Sequence, residues 1–203
     1  SLITRGRNDL ARMFLERDAD YLMFIDADIT FPKDAIPALL LADKDVVCGV
    51  YSKKEISWDS VSKAAKAGKD NLVDYSGSFV FNMIEAQGEH AEVDDSGVIE
   101  VRHGGTGFML IKRSVLEKLK DHVPTYRRTS FRDQETGEYI HPVTHQFFDT
   151  SIDDTGALLS EDYHFCELWR KHGGQVYAHP TIKLDHTGTY VFGGDLMKSG
   201  GQL

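Results

Sequence analysis

Residues 21–32 read YLMFIDADITFP, an apolar run that ends in two aspartates one residue apart. Five apolar or aromatic residues in succession, Tyr21–Ile25, are the pattern of a strand covered on both faces, as in a parallel sheet. The strand then delivers Asp26 and Asp28 at its carboxyl end. Two carboxylates on one side of a chain repel unless something positive lies near, and a divalent cation is the first candidate. The plainer reading is a solvated acidic pair ahead of a helix that starts near Pro32, and spacing alone leaves both open.

Working outward, residues 8–18 place Leu10, Met13, Phe14 and Arg17 at helical spacing, the first three forming an apolar stripe. Pro32 suits a first helical turn, and the following residues continue that helix to about residue 42. Residues 46–51, VVCGVY, are a second apolar strand. This helix–strand–helix–strand order predicts an α/β sheet with crossover connections. Residues 52–76 are polar, with a short helix or loop. Segments 78–84 and 97–101 read as strands joined by a turn at 94–97. A glycine loop at 104–107 leads into a strand at Phe108–Lys112. The helix that follows carries Ser114 and Glu117 in capping-box spacing. Residues 121–144 read as a loop with Tyr126, Arg127, Arg128, Phe131 and Arg132, a candidate acceptor surface. A well-marked helix starts at Ser160 as N-cap and stops at Gly173 and Gly174, and residues 175–186 add a last strand and lead to His186.

The 203 residues, 41% hydrophobic and 27% charged, suit one domain with a buried core. No run of about 18 apolar residues is present, so no membrane span is expected. No apolar leader opens the chain, which begins without Met, and a cytoplasmic location is expected (host cytoplasm if the protein is viral). Cys48 and Cys166 lie far apart in apolar settings, a reducing-compartment pattern rather than a disulfide framework. A net charge of -9 argues against a broad grip on nucleic acid.

Three further groups are candidates for chemistry. Glu161 and Asp162 open a helix, where acids ordinarily answer the helix dipole, yet one of two adjacent acids can face a crevice and act as a base. His186 follows a strand; a single histidine is most often structural. The 104–107 loop, GGTG, lets backbone approach something closely, but no Lys-Ser/Thr follows it and it is not a P-loop.

Taken together, these motifs occur in a familiar order. The stretch GRNDLARMFLERDADYLMFIDADITFP resembles the part of GT-A glycosyltransferases where an Arg-Asn helix leads into the strand bearing the D-x-D motif. GGTGFMLIKRSVLEKL is similar to that family's glycine loop, strand and helix. LSEDYHFCELWRKHGG is similar to its x-E-D helix, and LDHTGTY matches the position of its C-terminal metal-binding histidine. The style, VVCGVYSKK included, looks most like the compact enzymes of phages and large viruses.

The resemblance implies a single GT-A domain over residues 1–203, a Rossmann-like mixed sheet flanked by helices, that starts after the first nucleotide-binding strand or lacks it. It implies a metal-dependent transfer of sugar from a nucleotide-diphosphate sugar to an acceptor hydroxyl. Asp26, Asp28 and His186 would hold Mn²⁺ or Mg²⁺. Arg7 and Asn8 would lie at the donor, and Gly105, Thr106 and Gly107 would border the sugar and acceptor. Asp162 would be the base of an inverting reaction; in a retaining one, Asp162 or Glu161 would only bind. The acceptor is a glycan, a lipopolysaccharide, a protein or a modified DNA base. Two other readings fit the opening stretch: a haloacid-dehalogenase-type phosphatase with Asp26 as nucleophile and Asp28 as acid/base, and a non-catalytic carbohydrate-binding fragment.

Overall fold

Five strands form one mixed sheet in a computed structural model that describes residues 2–84, 92–128, 131–133 and 135–199. They are β1 (Tyr21–Ile25), β2 (Val46–Gly49), β3 (Ile99–Val101), β4 (Phe108–Lys112) and β5 (Val176–His179), in the spatial order β1-β4-β2-β5-β3. The helices longer than one turn are α1 (Leu2–Leu15), α2 (Ala35–Leu41), α3 (Trp58–Lys66), α4 (Arg113–Leu119) and α5 (Glu161–Lys171). The chain is thus an α/β fold, as expected.

Side chains alternate across the sheet with the period of two that strands impose. From β4, Met109 and Ile111 face one side, and Phe108 and Leu110 the other. The first side packs against Ala11 and Phe14 of α1, Val115, Leu116 and Leu119 of α4, and Phe165, Cys166 and Trp169 of α5. The second packs against Ala35 and Leu39 of α2, with Ile182 and Leu184. Each fully buried aromatic or aliphatic side chain here removes apolar surface worth about 1.5–3 kcal/mol from water.

The pairing of β1 corrects the parallel-sheet expectation. β1 joins β4 antiparallel, Tyr21 opposite Lys112 and Ile25 opposite Phe108, and β2 joins β4 antiparallel from the other side. β1 and β2 therefore run the same way, as a crossover through α2 requires, but β4 is inserted between them. Only β2 and β5 pair in parallel within this sheet. The carboxyl ends of β1, β2 and β5 and the amino end of β4 consequently meet at one edge, the edge where open α/β sheets bind ligands.

Several local expectations are also corrected. Helix α1 spans Leu2–Leu15 rather than 8–18, and α2 begins at Ala35, after Pro32. The capping box at Ser114 does not form: α4 starts at Arg113 without a side-chain cap, and Glu117 lies 3.6 Å from Arg113 instead. Ser160 is the N-cap residue of α5 but its hydroxyl does not cap; it donates to the Asp162 carboxylate. Segments 78–84 and 97–101 do not pair with each other. Phe81–Asn82 pairs with His103–Gly104, and Ile99–Val101 joins β5, though the turn at 94–97 is present; residues 85–91 lie outside the described ones. Within 121–144, expected as loop, Thr125–Arg127 pairs with Val143–His145 and Phe131–Arg132 with Tyr139–Ile140. Among the described residues no helix is long and apolar enough to cross a membrane.

Candidate active site

The ladder between β1 and β4 runs one residue past β1: the Asp26 backbone N–H donates to the Gly107 carbonyl at 2.9 Å. This sets the Asp26 carboxylate at the ligand edge, and Arg7 reaches it from α1. One Arg7 amino group lies 3.0 Å and 3.3 Å from the two Asp26 oxygens, and its Nε lies 3.5 Å from Glu161. The guanidinium also sits over the Phe24 ring, 5.2 Å from its centre. The Phe24 ring meets Phe148 edge-on. Three contacts and a ring hold this arginine, whose side chain is only 12% exposed.

The neighbouring residue serves the same assembly from below. Asn8 is buried at 2% exposure, and its carboxamide clasps the Phe148 backbone, donating to the carbonyl and accepting from the N–H. Its polar atoms, expected at the donor, are engaged by the Phe148 backbone.

Asp28 and His186 are brought together by a second, three-stranded sheet. Ile29–Thr30 pairs with Asp185–Thr187, which pairs with Val191–Phe192. His186 lies opposite Ile29 in this register, and the Thr187 N–H donates to the Asp28 carbonyl at 2.8 Å. The His186 Nε2 lies 3.5 Å from Asp28 Oδ2, while its Nδ1 lies 2.9 Å from the Ser52 carbonyl. A carbonyl only accepts, so Nδ1 carries the proton and Nε2 is the atom aimed at the carboxylate. The same Asp28 oxygen receives Lys54 Nζ at 2.5 Å. That ammonium, hydrogen-bonded to it, holds the Asp28 carboxyl below the usual carboxylate range; partial burial works against the shift and His186 adds to it.

Of the three expected metal ligands, Asp28 and His186 therefore face each other, whereas Asp26 is engaged by Arg7. Among the described residues no three His, Cys, Asp or Glu side chains form a ready metal cluster. The pair still fits a divalent cation. His186 Nε2, the nitrogen not held by the Ser52 carbonyl, faces a carboxylate oxygen, and a positive group already lies against that oxygen.

The glycine loop has an occupant that the sequence reading missed. The Tyr51 ring lies against it: a Cβ on Gly107 would come within 2.6 Å of the Tyr51 hydroxyl, and one on Gly105 would collide with it outright. The Gly107 N–H donates to that hydroxyl at 3.1 Å. Gly105 and Gly107 are thus explained by Tyr51, and Thr106 between them is 1% exposed, its Oγ1 unpartnered among the described residues. Burial, with Asp162 and Asp26 nearby, pushes the Tyr51 phenol well above its ordinary pKa. Tyr51 also meets His186 edge-on, rings 5.3 Å apart. Tyr51 and Lys54 both follow β2 at the ligand edge. Polar or aromatic residues just past an apolar strand were the signal that could have singled them out.

Asp162 stands at the first turn of α5. Its Oδ1 accepts from the Tyr163 N–H at 2.9 Å and from Ser160. Beside α5, buried His103 donates from Nε2 to Glu167 at 2.8 Å and accepts at Nδ1 from Asn82, with Tyr163 stacked on its ring. Of the expected acceptor surface, Arg128 is paired with Asp9 of α1, Arg132 donates to the Gly137 carbonyl, and the Phe131 side chain lies outside the described residues.

No family model and no curated protein matches the chain. Among solved structures, it is similar to the crystal structure of A197 from STIV, with a TM-score of 0.46 and 21% identity over 92% of this chain and 68% of that one.

Proposed function

We propose that the protein is a metal-dependent glycosyltransferase that moves a sugar from a nucleoside-diphosphate sugar to an acceptor hydroxyl. The observation that carries this reading is the Asp28–His186 pair, oriented by the Ser52 carbonyl at the ligand edge of the sheet. The order of motifs along the chain, which resembles the GT-A glycosyltransferases, supports it.

Asp28 and His186 are the residues that would hold Mn²⁺ or Mg²⁺. When bound, the ion supplies positive charge against the departing diphosphate. Arg7 supplies a fixed positive charge at the same edge and keeps Asp26 and Glu161 in place. Glu161 is committed to that arginine. Asp162 is the better base: its Oδ1 is occupied by Ser160 and the Tyr163 N–H, which leaves Oδ2 to take the acceptor's proton in an inverting reaction. In the phosphatase reading Asp26 would be the nucleophile; here both of its oxygens face Arg7. The acceptor belongs to the same classes named above: glycan, lipopolysaccharide, protein or modified DNA base.

A thermal-shift screen of nucleotide sugars with and without Mn²⁺ tests the reading. One donor should raise the melting temperature only with Mn²⁺, since ligand at about 100 times its Kd adds about 2.7 kcal/mol of stability. D28N and H186A should abolish that shift. A screen without a metal-dependent shift for any donor overturns the reading.

A further inference from the structure

We propose that Lys54 is a displaceable counter-cation: it neutralises Asp28 until the divalent ion binds, then turns its ammonium to the diphosphate of the donor. This rests on the metal reading above. The two aspartates at the ligand edge each carry a cation of their own, Arg7 on Asp26 and Lys54 on Asp28. The two cations are held very differently. Arg7 is largely buried and pinned by two carboxylates and an aromatic ring. Lys54 has a side chain 40% exposed and, among the described residues, a single carboxylate partner.

Exposed pairs of this kind are weak and readily exchanged. The exchange is forced by geometry. Lys54 Nζ and His186 Nε2 approach the same oxygen, Asp28 Oδ2, so an ion coordinated between Asp28 and His186 meets the ammonium at close range. Like charges there repel, and the flexible lysine is the group that can leave.

It does not leave the site, because its backbone is fixed. The preceding Lys53 N–H donates to the Ser78 carbonyl at 2.7 Å, and Ser52 holds both the His186 ring and, through its hydroxyl, the Phe192 carbonyl. The Lys54 stem also lies beside Gly188, where an added Cβ would meet its Cδ at 3.3 Å. A released ammonium therefore swings within the same edge, where a compact cation is suited to a phosphate oxygen. The charge arithmetic favours the exchange: a divalent ion binds without an extra positive charge trapped against it, and the lysine is kept for the polyanion.

Calorimetric titration of the full chain tests this, using MnCl₂ alone and then sodium pyrophosphate with Mn²⁺ present. K54M, at an exposed position, should stay folded and lose only the small stability of an exposed pair. It should bind Mn²⁺ roughly threefold more tightly, and should bind pyrophosphate about tenfold more weakly. K54R, which keeps a positive charge on Asp28, should not tighten Mn²⁺. Mn²⁺ binding that appears only in K54M also supports the exchange. Unchanged or weaker Mn²⁺ binding in K54M, or unchanged pyrophosphate binding, overturns it, even where D28N abolishes Mn²⁺ binding and so leaves the metal reading standing. Mn²⁺ binding that survives D28N, or is absent from both wild type and K54M, overturns the metal reading and this proposal together.

Discussion

Asn8 and Phe148 hold each other twice: the Asn8 amide donates to the Phe148 carbonyl at 2.8 Å, and its oxygen accepts the Phe148 N–H at 2.9 Å. The clasp sets the Phe148 ring against Phe24, over which the Arg7 guanidinium lies. N8A leaves a buried N–H and a buried carbonyl without partners and should cost about 2–5 kcal/mol. Urea unfolding measures this. A variant as stable as wild type that loses only its response to nucleotide sugars would return Asn8 to the donor site.

Tyr51 and the glycine loop should be energetically coupled. G107A forces a Cβ toward the Tyr51 hydroxyl and should destabilise by about 1–3 kcal/mol. Y51A removes the hydroxyl and the ring carbons that such a Cβ would meet, along with the partner of the Gly107 N–H. In a double-mutant cycle, G107A should cost at least about 0.5 kcal/mol less in the Y51A background. Strict additivity would show that the two residues do not share the strain.

Both thiols should be inert in the folded protein. Burial pushes the Cys48 thiol up to about 12 and raises Cys166 as well, so almost no thiolate forms near neutrality. Iodoacetamide followed by mass spectrometry should label neither residue natively and both in urea. Rapid native labelling would contradict the packing of both cysteines.

Three histidines give stability a direction with pH. Burial lowers the pKa of His103, His164 and His179 from 6.5, so the folded state resists their protonation. Their contribution is fully present above pH 6.5 and is lost as pH falls through the lower folded values. The carboxylates lowered by lysine partners, Asp28, Asp74 and Asp94, act in the same sense but only below their ordinary 3.8. The melting temperature should therefore fall between about pH 7.5 and 5.5, and fall less in H179Q, whose wild-type shift comes from burial alone. An identical pH slope in H179Q would discount this histidine.

The elements most legible in the sequence are those whose pattern is local. The apolar runs Tyr21–Ile25 and Phe108–Lys112 are strands with those very bounds, and the helix between Ser160 and the two glycines is present. Pairing was less legible, because a continuous apolar run says that both faces are covered but not which neighbour supplies the hydrogen bonds. β1 shows this: its run predicts a strand covered on both faces, yet it lies at the sheet edge with only Phe24 buried and Ile25 exposed, and its partner is antiparallel. At the site, Asp28 and His186 were read from the order of motifs and do lie together. Arg7 was placed at the edge but not on Asp26. Tyr51 and Lys54 escaped because what they touch, Gly107 and Asp28, is set by the fold and not by neighbours in sequence.

The three-stranded sheet that joins Ile29–Thr30 to Asp185–Thr187 has a consequence for the order of assembly. Its two halves lie far apart in sequence, so closing the loop between them carries an entropic cost. During synthesis the Asp28 strand emerges well before its histidine. On the proposed metal reading, an arrested nascent chain ending before residue 185 should have the Asp28 strand but no Mn²⁺ affinity, and the appearance of that affinity should mark the pairing of Asp185–Thr187 with Ile29–Thr30.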